Sequence, residues 1–472
     1  MAEALTLHED RLFPTEPGLR AIARRLHAAT RDLPIVSPHG HTDPSWFATN
    51  AAFTDATDLL LRPDHYLYRM LYSQGIGLER LGIGLPQGHG GESASREAWR
   101  LLASNWHLFR GTPSSLWLDQ VFAEVFEMPL RLCAETADLY YDRIGDCLRR
   151  EEFRPRALYE RFNIEVLTTT ESPLDPLLHH KALRQSGWGG LILTAYRPDP
   201  VVDPEYPGFR ENLDEFATLT GEDTSTWDGY LAAHRSRRAH FRRMGATSTD
   251  HGHPTARTTD LPPREANALF HRVLTEQFTS ADAELFRAQM LVEMARMSLD
   301  DGLVMQIHPG ACRNHNPHLF RAHGRDRGAD IPTPTDYVHA LKPLLDRYGN
   351  DPRLTIIVFT LDESTYSREL APLAGHYPAL RLGPAWWFHD SPNGLMRFRE
   401  LTSETAGFYN TVGFNDDTRA FLSIPARHDV ARRIDAAYLA RLVAEHRLSE
   451  EDAAETAVDL AYHLPRRAYR LD

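Results

Sequence analysis

From residue 160 onward the chain alternates short apolar runs with helical segments, and each apolar run ends in a polar cluster. That alternation is the pattern of β-strands joined by crossover helices in a parallel sheet. The runs occupy 164–170, 191–196, 245–249, 303–307, 354–360, 379–384 and 409–414, and an earlier one at 35–37 brings the number to eight. Eight such units predict an α/β fold of the TIM type, a (β/α)8 barrel whose chemistry collects at the C-terminal ends of its strands. The runs at 245–249 and 409–414 are short and partly polar, and are the weakest of the set. A doubly wound open sheet is the alternative, but no Gly-x-Gly-x-x-Gly follows any run.

The remaining chain arranges itself around that barrel. Residues 1–32 read as a helical lead-in, 33–42 as the first barrel strand, 43–160 as a helical insertion, and 161–472 as the rest of the barrel with its closing helices. The first strand, Leu33-Pro34-Ile35-Val36-Ser37-Pro38, runs into His39-Gly40-His41. Side chains two apart in an extended segment share a face, so His39 and His41 can converge on one metal ion. In a closed barrel the first strand neighbours the eighth, which brings Asp416 and Asp417 beside them. Two imidazoles and a carboxylate with open positions suit a divalent ion such as Zn2+, with His251 or His308 as a further ligand and Glu171 as a bridge to a second ion. Ser172, Asp199 and Asp390 read as helix N-caps, the usual role of such residues at strand-to-helix junctions.

Composition removes several classes. The 472 residues are 42% hydrophobic and 25% charged, with a net charge of −13, which argues against a nucleic-acid partner. No apolar run is long enough to span a bilayer, and the N-terminus lacks a signal-peptide pattern, so a cytoplasmic enzyme with no membrane partner is expected. Cys133, Cys147 and Cys312 show no metal spacing and are too few for a disulfide framework. Of the 52 basic residues only Lys181 and Lys342 are lysines, which leaves a carbamylated-lysine metal site almost no candidates.

The motifs together resemble the uronate (glucuronate) isomerases, a divergent branch of the amidohydrolase superfamily built on a metal-binding (β/α)8 barrel. The resemblance runs over nearly the whole chain. It is carried by Pro38-His39-Gly40-His41, Asp64-His65-Tyr66, Thr169-Thr170-Glu171-Ser172-Pro173 and Arg197-Pro198-Asp199. It continues through Asp250-His251, His308-Pro309-Gly310-Ala311-Cys312-Arg313-Asn314, Gly383-Pro384-Ala385-Trp386-Trp387-Phe388 and Asp417-Thr418-Arg419-Ala420-Phe421-Leu422-Ser423. It implies interconversion of an aldehyde uronate with its keto isomer, for example D-glucuronate with D-fructuronate or D-galacturonate with D-tagaturonate. It also implies His39, His41 and Asp417 as ligands of one divalent ion, and Tyr66 with Arg419 as the pair that moves the proton. Asp417 is the alternative base. Arg197, His65, His308, Arg313 and Trp386 are implied as substrate contacts. Spacing alone makes 63–69 only the start of a surface helix, so the role of Tyr66 comes from the resemblance. Two departures stand out: Glu171 where relatives carry aspartate, and His389 after the Trp-Trp-Phe segment.

Aldose–ketose chemistry asks for these residue types. A tyrosine, with a pKa near ~10, is a poor base unless an arginine stabilises its phenolate, the task expected of Arg419. A metal acting as a Lewis acid stabilises enediolate charge, and a bidentate arginine, here Arg197, suits the uronate carboxylate. A metal-dependent hydrolase is one rival, and an iron oxygenase using Glu171 and His389 as extra ligands is another. A non-enzymatic binding protein, the third, leaves eight polar strand ends unexplained. Assembly as a homo-oligomer is compatible with all of these.

Overall fold

In the computed structural model, which describes residues 3–85 and 90–471, the apolar runs become strands where burial on both faces demands it. They are Ile35–Ser37 (β1), Ile164–Glu171 (β2), Leu191–Tyr196 (β3), Ser248–His251 (β4) and Val304–Ile307 (β5). Two very short strands follow, Ala311–Cys312 (β6) and Ile331–Pro332 (β7), and then Ile356–Val358 (β8) and Leu380–Leu382 (β9). Seven strands pair in parallel in the order β1-β2-β3-β4-β5-β8-β9, while β6 and β7 form a separate antiparallel ribbon. β1, β5 and β8 are buried at every position, as expected of strands covered on both faces.

The eighth place in the ring departs from the sequence expectation. Residues 409–414 keep only one parallel bridge, Thr411 to Leu382. Gly413, at φ +80°, turns the backbone out of the extended region and packs against the Leu460 carbonyl. The segment still fills the gap: the Leu382 amide donates to the Asn410 carbonyl at 2.9 Å, and the His41 amide donates to the Thr418 carbonyl at 3.0 Å. The ring is thus closed by an irregular stretch rather than a regular strand.

Alternation along each strand sorts side chains between two environments. Outward-facing Thr169 reaches His180 on the helix Leu178–Gln185 at 2.9 Å. Inward-facing Gln306 donates to Ser248 at 3.3 Å and accepts from the Tyr469 hydroxyl at 2.8 Å, and Tyr469 accepts from Asn415 at 2.6 Å. This buried polar layer lies inside the ring, with Tyr469 brought there by the C-terminal turn.

Between β1 and β2 the regular elements among the described residues are helices, and their Leu67, Trp99, Phe122 and Tyr140 share one core with barrel residues such as Ile35, Ile164 and Leu167. One of these helices, His65–Ser73, is capped by Asp64, whose carboxylate accepts from the Tyr66 amide at 2.9 Å. The β6–β7 ribbon brackets residues 313–330. That loop leans on the same helix: the Tyr68 hydroxyl donates to the Asp326 carbonyl at 3.2 Å, and Asn316 donates to the Tyr72 hydroxyl at 3.4 Å. Insertion and loop therefore frame the barrel mouth from two sides. Among the described residues no helix is long and apolar enough to cross a membrane.

Candidate active site

The barrel mouth encloses a cavity of about 280 Å³, and His39, His41, His308 and Asp417 all line it. Asp417 is held at φ +41°, a left-handed conformation that an aspartate tolerates better than most residues and that marks functional sites. Its Oδ1 lies 3.2 Å from His41 Nε2 and 3.4 Å from His39 Nε2. Its Oδ2 accepts from the Trp386 indole at 2.7 Å. Burial by itself raises the Asp417 carboxyl, yet His39 and His41 overrule it and hold the group well below the usual carboxylate range.

Among the described residues two sets of side chains bring ligand atoms within 4.8 Å of one another: His39, His41 and Asp417, and His39, Asp250 and His308. The second is largely spoken for by the protein itself. Asp250 accepts from His308 Nδ1 at 2.7 Å on one oxygen and from Arg197 Nη1 at 2.8 Å on the other. The first fits a divalent ion: two imidazole nitrogens converge on one carboxylate, and among the described residues no other group bonds Asp417 Oδ1. His308 Nε2, buried and without a protein partner, is a further donor beside the set, its ring stacked on His39 at 4.8 Å.

Other expected residues land differently. The Tyr66 hydroxyl donates to Asp390 Oδ1 at 2.8 Å and accepts from the Phe388 amide at 2.8 Å. The guanidinium beside it belongs to Arg427, which donates to the other Asp390 oxygen at 2.9 Å and stacks on Trp117 at 3.6 Å. Arg419 lies instead across from Asp326, at 3.9 Å. The expected Tyr66–Arg419 contact is therefore absent, and Tyr66 is not activated as a base in the way the sequence suggested. Burial, reinforced by the charge of Asp390, pushes the Tyr66 phenol well above its ordinary value. Nor does Asp390 cap a helix, since Ser391 caps Pro392–Ala406.

Arg197 is also re-assigned. Its Nε donates to Asp199 at 2.9 Å and its Nη1 to Asp250, so its charge is already balanced by two carboxylates of the protein. A Cβ on Gly252 would meet the Arg197 Nη2 at 2.1 Å, so the backbone there must be glycine for Arg197 to lie where it does. Asp199 is thus an ion-pair partner rather than a cap, whereas Ser172 does accept from the Leu174 amide at 3.2 Å in a turn. Arg313 is bound to Asp330 at 2.8 Å. Among the described residues Arg325, which sequence reasoning missed, is the one cavity arginine with no ion-pair partner, and it rests over the Tyr206 ring at 4.2 Å. His65 lines the cavity, stacked on Tyr66 at 4.8 Å with its buried Nε2 unpartnered. Burial, aided by Arg419 and Arg427, lowers its pKa to about 3, so it is a neutral imidazole.

The suggested extra ligands face elsewhere. Glu171 points outward, accepting from Thr194 and lying 3.8 Å from His180. His251, on the outward face of β4, meets Thr249 at 3.1 Å. His389 bonds the Leu361 carbonyl at 2.9 Å. Strand alternation contains the signal for the first two: with Thr170 and Asp250 turned in, Glu171 and His251 must turn out.

The outward Glu171 carries its own prediction. Burial pushes it up to about 8 from an ordinary 4.5. A carboxyl raised in the folded state contributes stability fully below the unfolded value and loses it as pH rises towards the folded value. Wild-type stability should therefore fall between pH 5 and 8 by up to about 1.4 kcal/mol per unit from this group, and Glu171→Gln should remove that slope. Denaturant unfolding of both proteins across the range decides it, and identical slopes would refute a protonated Glu171.

The similarities to known proteins agree with this geometry. A family model described as glucuronate isomerase matches residues 19–469. The uronate isomerase of Phenylobacterium zucineum is 71% identical over 473 residues, covering 100% of this chain and 98% of its own. A crystal structure of glucuronate isomerase from Caulobacter crescentus superposes with a TM-score of 0.97 at 63% identity, over 100% of this chain and 98% of that one. The uronate isomerase structure from Thermotoga maritima superposes at 0.91 with 27% identity, over 98% and 99%. With the match extending from the lead-in helix to the C-terminal turn, and the histidine pair, Asp417 and the barrel all in place, this chain belongs to the glucuronate isomerase family.

Proposed function

We propose that the chain interconverts D-glucuronate and D-fructuronate, and D-galacturonate and D-tagaturonate, through an enediol at the barrel mouth with one divalent ion, Zn2+ being the first choice. The observation that carries this reading is the convergence of His39, His41 and an ionised Asp417 beside a buried tyrosine in one cavity. Asp417 takes the C2 proton, and Tyr66 moves a proton between the substrate's C1 and C2 oxygens. The charges that keep Asp417 ionised also make it a weak base, so the C2 proton must be acidified. A bound divalent ion supplies that Lewis acidity. Neutral His65 and His308 offer nitrogens to the sugar hydroxyls, and Trp386 orients Asp417 while forming one wall.

The uronate carboxylate needs a cation whose charge is not already neutralised. Arg325 meets that need, with the loosely paired Arg419 beside the same loop. Arg325→Met should raise KM for D-glucuronate roughly ten- to a hundred-fold, the loss of one charge-assisted pair of about 1.5–3 kcal/mol, with kcat little changed. Steady-state kinetics checks this, and an unchanged KM would reassign the carboxylate.

The direct test of the reaction is incubation with each uronate, following ketose formation by NMR. No conversion of either sugar by metal-replete protein would overturn the assignment. For the ion, purified protein should contain about one divalent metal per chain. The His39→Ala/His41→Ala double variant should contain almost none, and two metals per chain in the wild type would contradict the mononuclear site.

A further inference from the structure

We propose that Asp390 and Arg427 form a buried proton relay with Tyr66, in which Asp390 receives the phenol proton as Tyr66 takes one from a substrate hydroxyl. The inference rests on the isomerase reading above and deepens it. It supplies what Tyr66 lacks once Arg419 is found elsewhere, a group able to accept its proton.

Four separate parts of the chain meet here. Tyr66 comes from the helix His65–Ser73, Asp390 and the Phe388 amide from the stretch after β9, Arg427 from the helix Ile424–Ala444, and Trp117 from the helix Pro113–Gln120. The phenol oxygen donates to Asp390 and accepts from Phe388, whose φ of +69° is a left-handed backbone held for this arrangement. One lone pair on that oxygen remains free, and both Tyr66 and Asp390 line the cavity. Arg427 is fixed in turn by donating to the Ser423 hydroxyl at 3.0 Å and by lying on Trp117. The Tyr66–Asp390 bond is partly buried and the Arg427–Asp390 bond is buried.

The proton balance closes without any redox change. The substrate O–H bond breaks as a new Tyr66 O–H forms, and the original Tyr66 O–H breaks as an Asp390 O–H forms. The reverse sequence returns a proton to the neighbouring substrate oxygen. Arg427 stays charged throughout, and holds Asp390 in place in both states. Burial raises the Asp390 carboxyl while Arg427 opposes the rise, which brings it closer to the range of a usable acceptor. Among the described residues the other charged or titratable groups facing the relay include Asp64, His65 and Arg69 at the start of the tyrosine's own helix, Asp416 and His428 beside Arg427, and Asp417 across the mouth.

Asp390→Asn keeps the shape and a hydrogen-bonding oxygen but takes up no proton. Its kcat should fall about a hundred-fold while KM stays within about threefold, with metal content unchanged. Placed in a Tyr66→Phe background it should cost less than about threefold more, because two parts of one relay do not act additively. Arg427→Met should match Asp390→Asn, and Arg427→Lys should recover part of the lost kcat. An Asp390→Asn enzyme with wild-type kcat, or one whose loss appears in KM alone, would overturn the relay. A second measurement needs neither turnover nor a stable Asp390 variant. In protein labelled with [ζ-13C]tyrosine, the Tyr66 resonance, identified by its absence from Tyr66→Phe, should remain that of a neutral phenol to pH 10. If it titrates with exposed tyrosines, the relay is wrong. If the wild type converts no uronate while this resonance behaves as described, the substrate assignment fails and the relay geometry stands.

Discussion

Asp417→Asn is expected to lower kcat by about a thousand-fold and to strip most of the bound metal. The amide keeps the size of the side chain and can still accept from Trp386. It loses the charge that faces His39 and His41 on Oδ1, the oxygen that the Trp386 bond leaves free. A positioned general base contributes about 10²–10⁴ in rate, and loss of a charged ligand compounds that. Stopped assays with added Zn2+ or Mn2+ separate the two effects: metal in excess restores occupancy but not the base. A variant retaining a tenth of wild-type kcat at full occupancy would move the base elsewhere, with neutral His65 as the next candidate.

Arg197→Met is expected to cost about 3 kcal/mol of stability, of the order found when one member of a buried ion pair is removed. Sequence alone led to a different expectation, namely weaker substrate binding with little else changed. Arg197 lies between Asp199 and Asp250, and Asp250 is completely buried. Removing the guanidinium leaves two carboxylates near each other without the cation between them, and Asp250 also orients His308. Adding Asp250→Asn to Arg197→Met should restore part of the stability by removing one stranded charge. Thermal unfolding of the two single variants and the double variant measures the coupling. Arg197→Met with wild-type stability and a raised KM would reinstate it as the carboxylate contact.

The site residues that were legible in the sequence share one property, which is short-range geometry. His39 and His41 are separated by one residue at a strand end, so the strand period alone puts them on one face. Asp417 joins them because the last unit of a closed ring neighbours the first, even though 409–414 proved too irregular to form a regular strand. The same period, applied to β2 and β4, is the reason Glu171 and His251, which the sequence offered as further ligands, turn outward instead. The tyrosine at position 66 carried no such signal, and only the resemblance to a family singled it out.

What the chain determined by itself is the alternation that makes a barrel, the helical periodicity of 43–160, and the histidine pair at the end of β1. These depend on patterns spanning a few residues, each set by backbone geometry and burial. What only the tertiary structure decided is which long side chain answers which. Tyr66 and Asp390 are 324 positions apart, and Arg427 was chosen over Arg419 by the packing of one helix against Trp117. Arg197 was captured by two aspartates and Arg325 left unpaired for the same reason. An arginine side chain reaches several ångströms along many rotamers, so its partner is fixed by the neighbours that enclose it rather than by its place in the sequence.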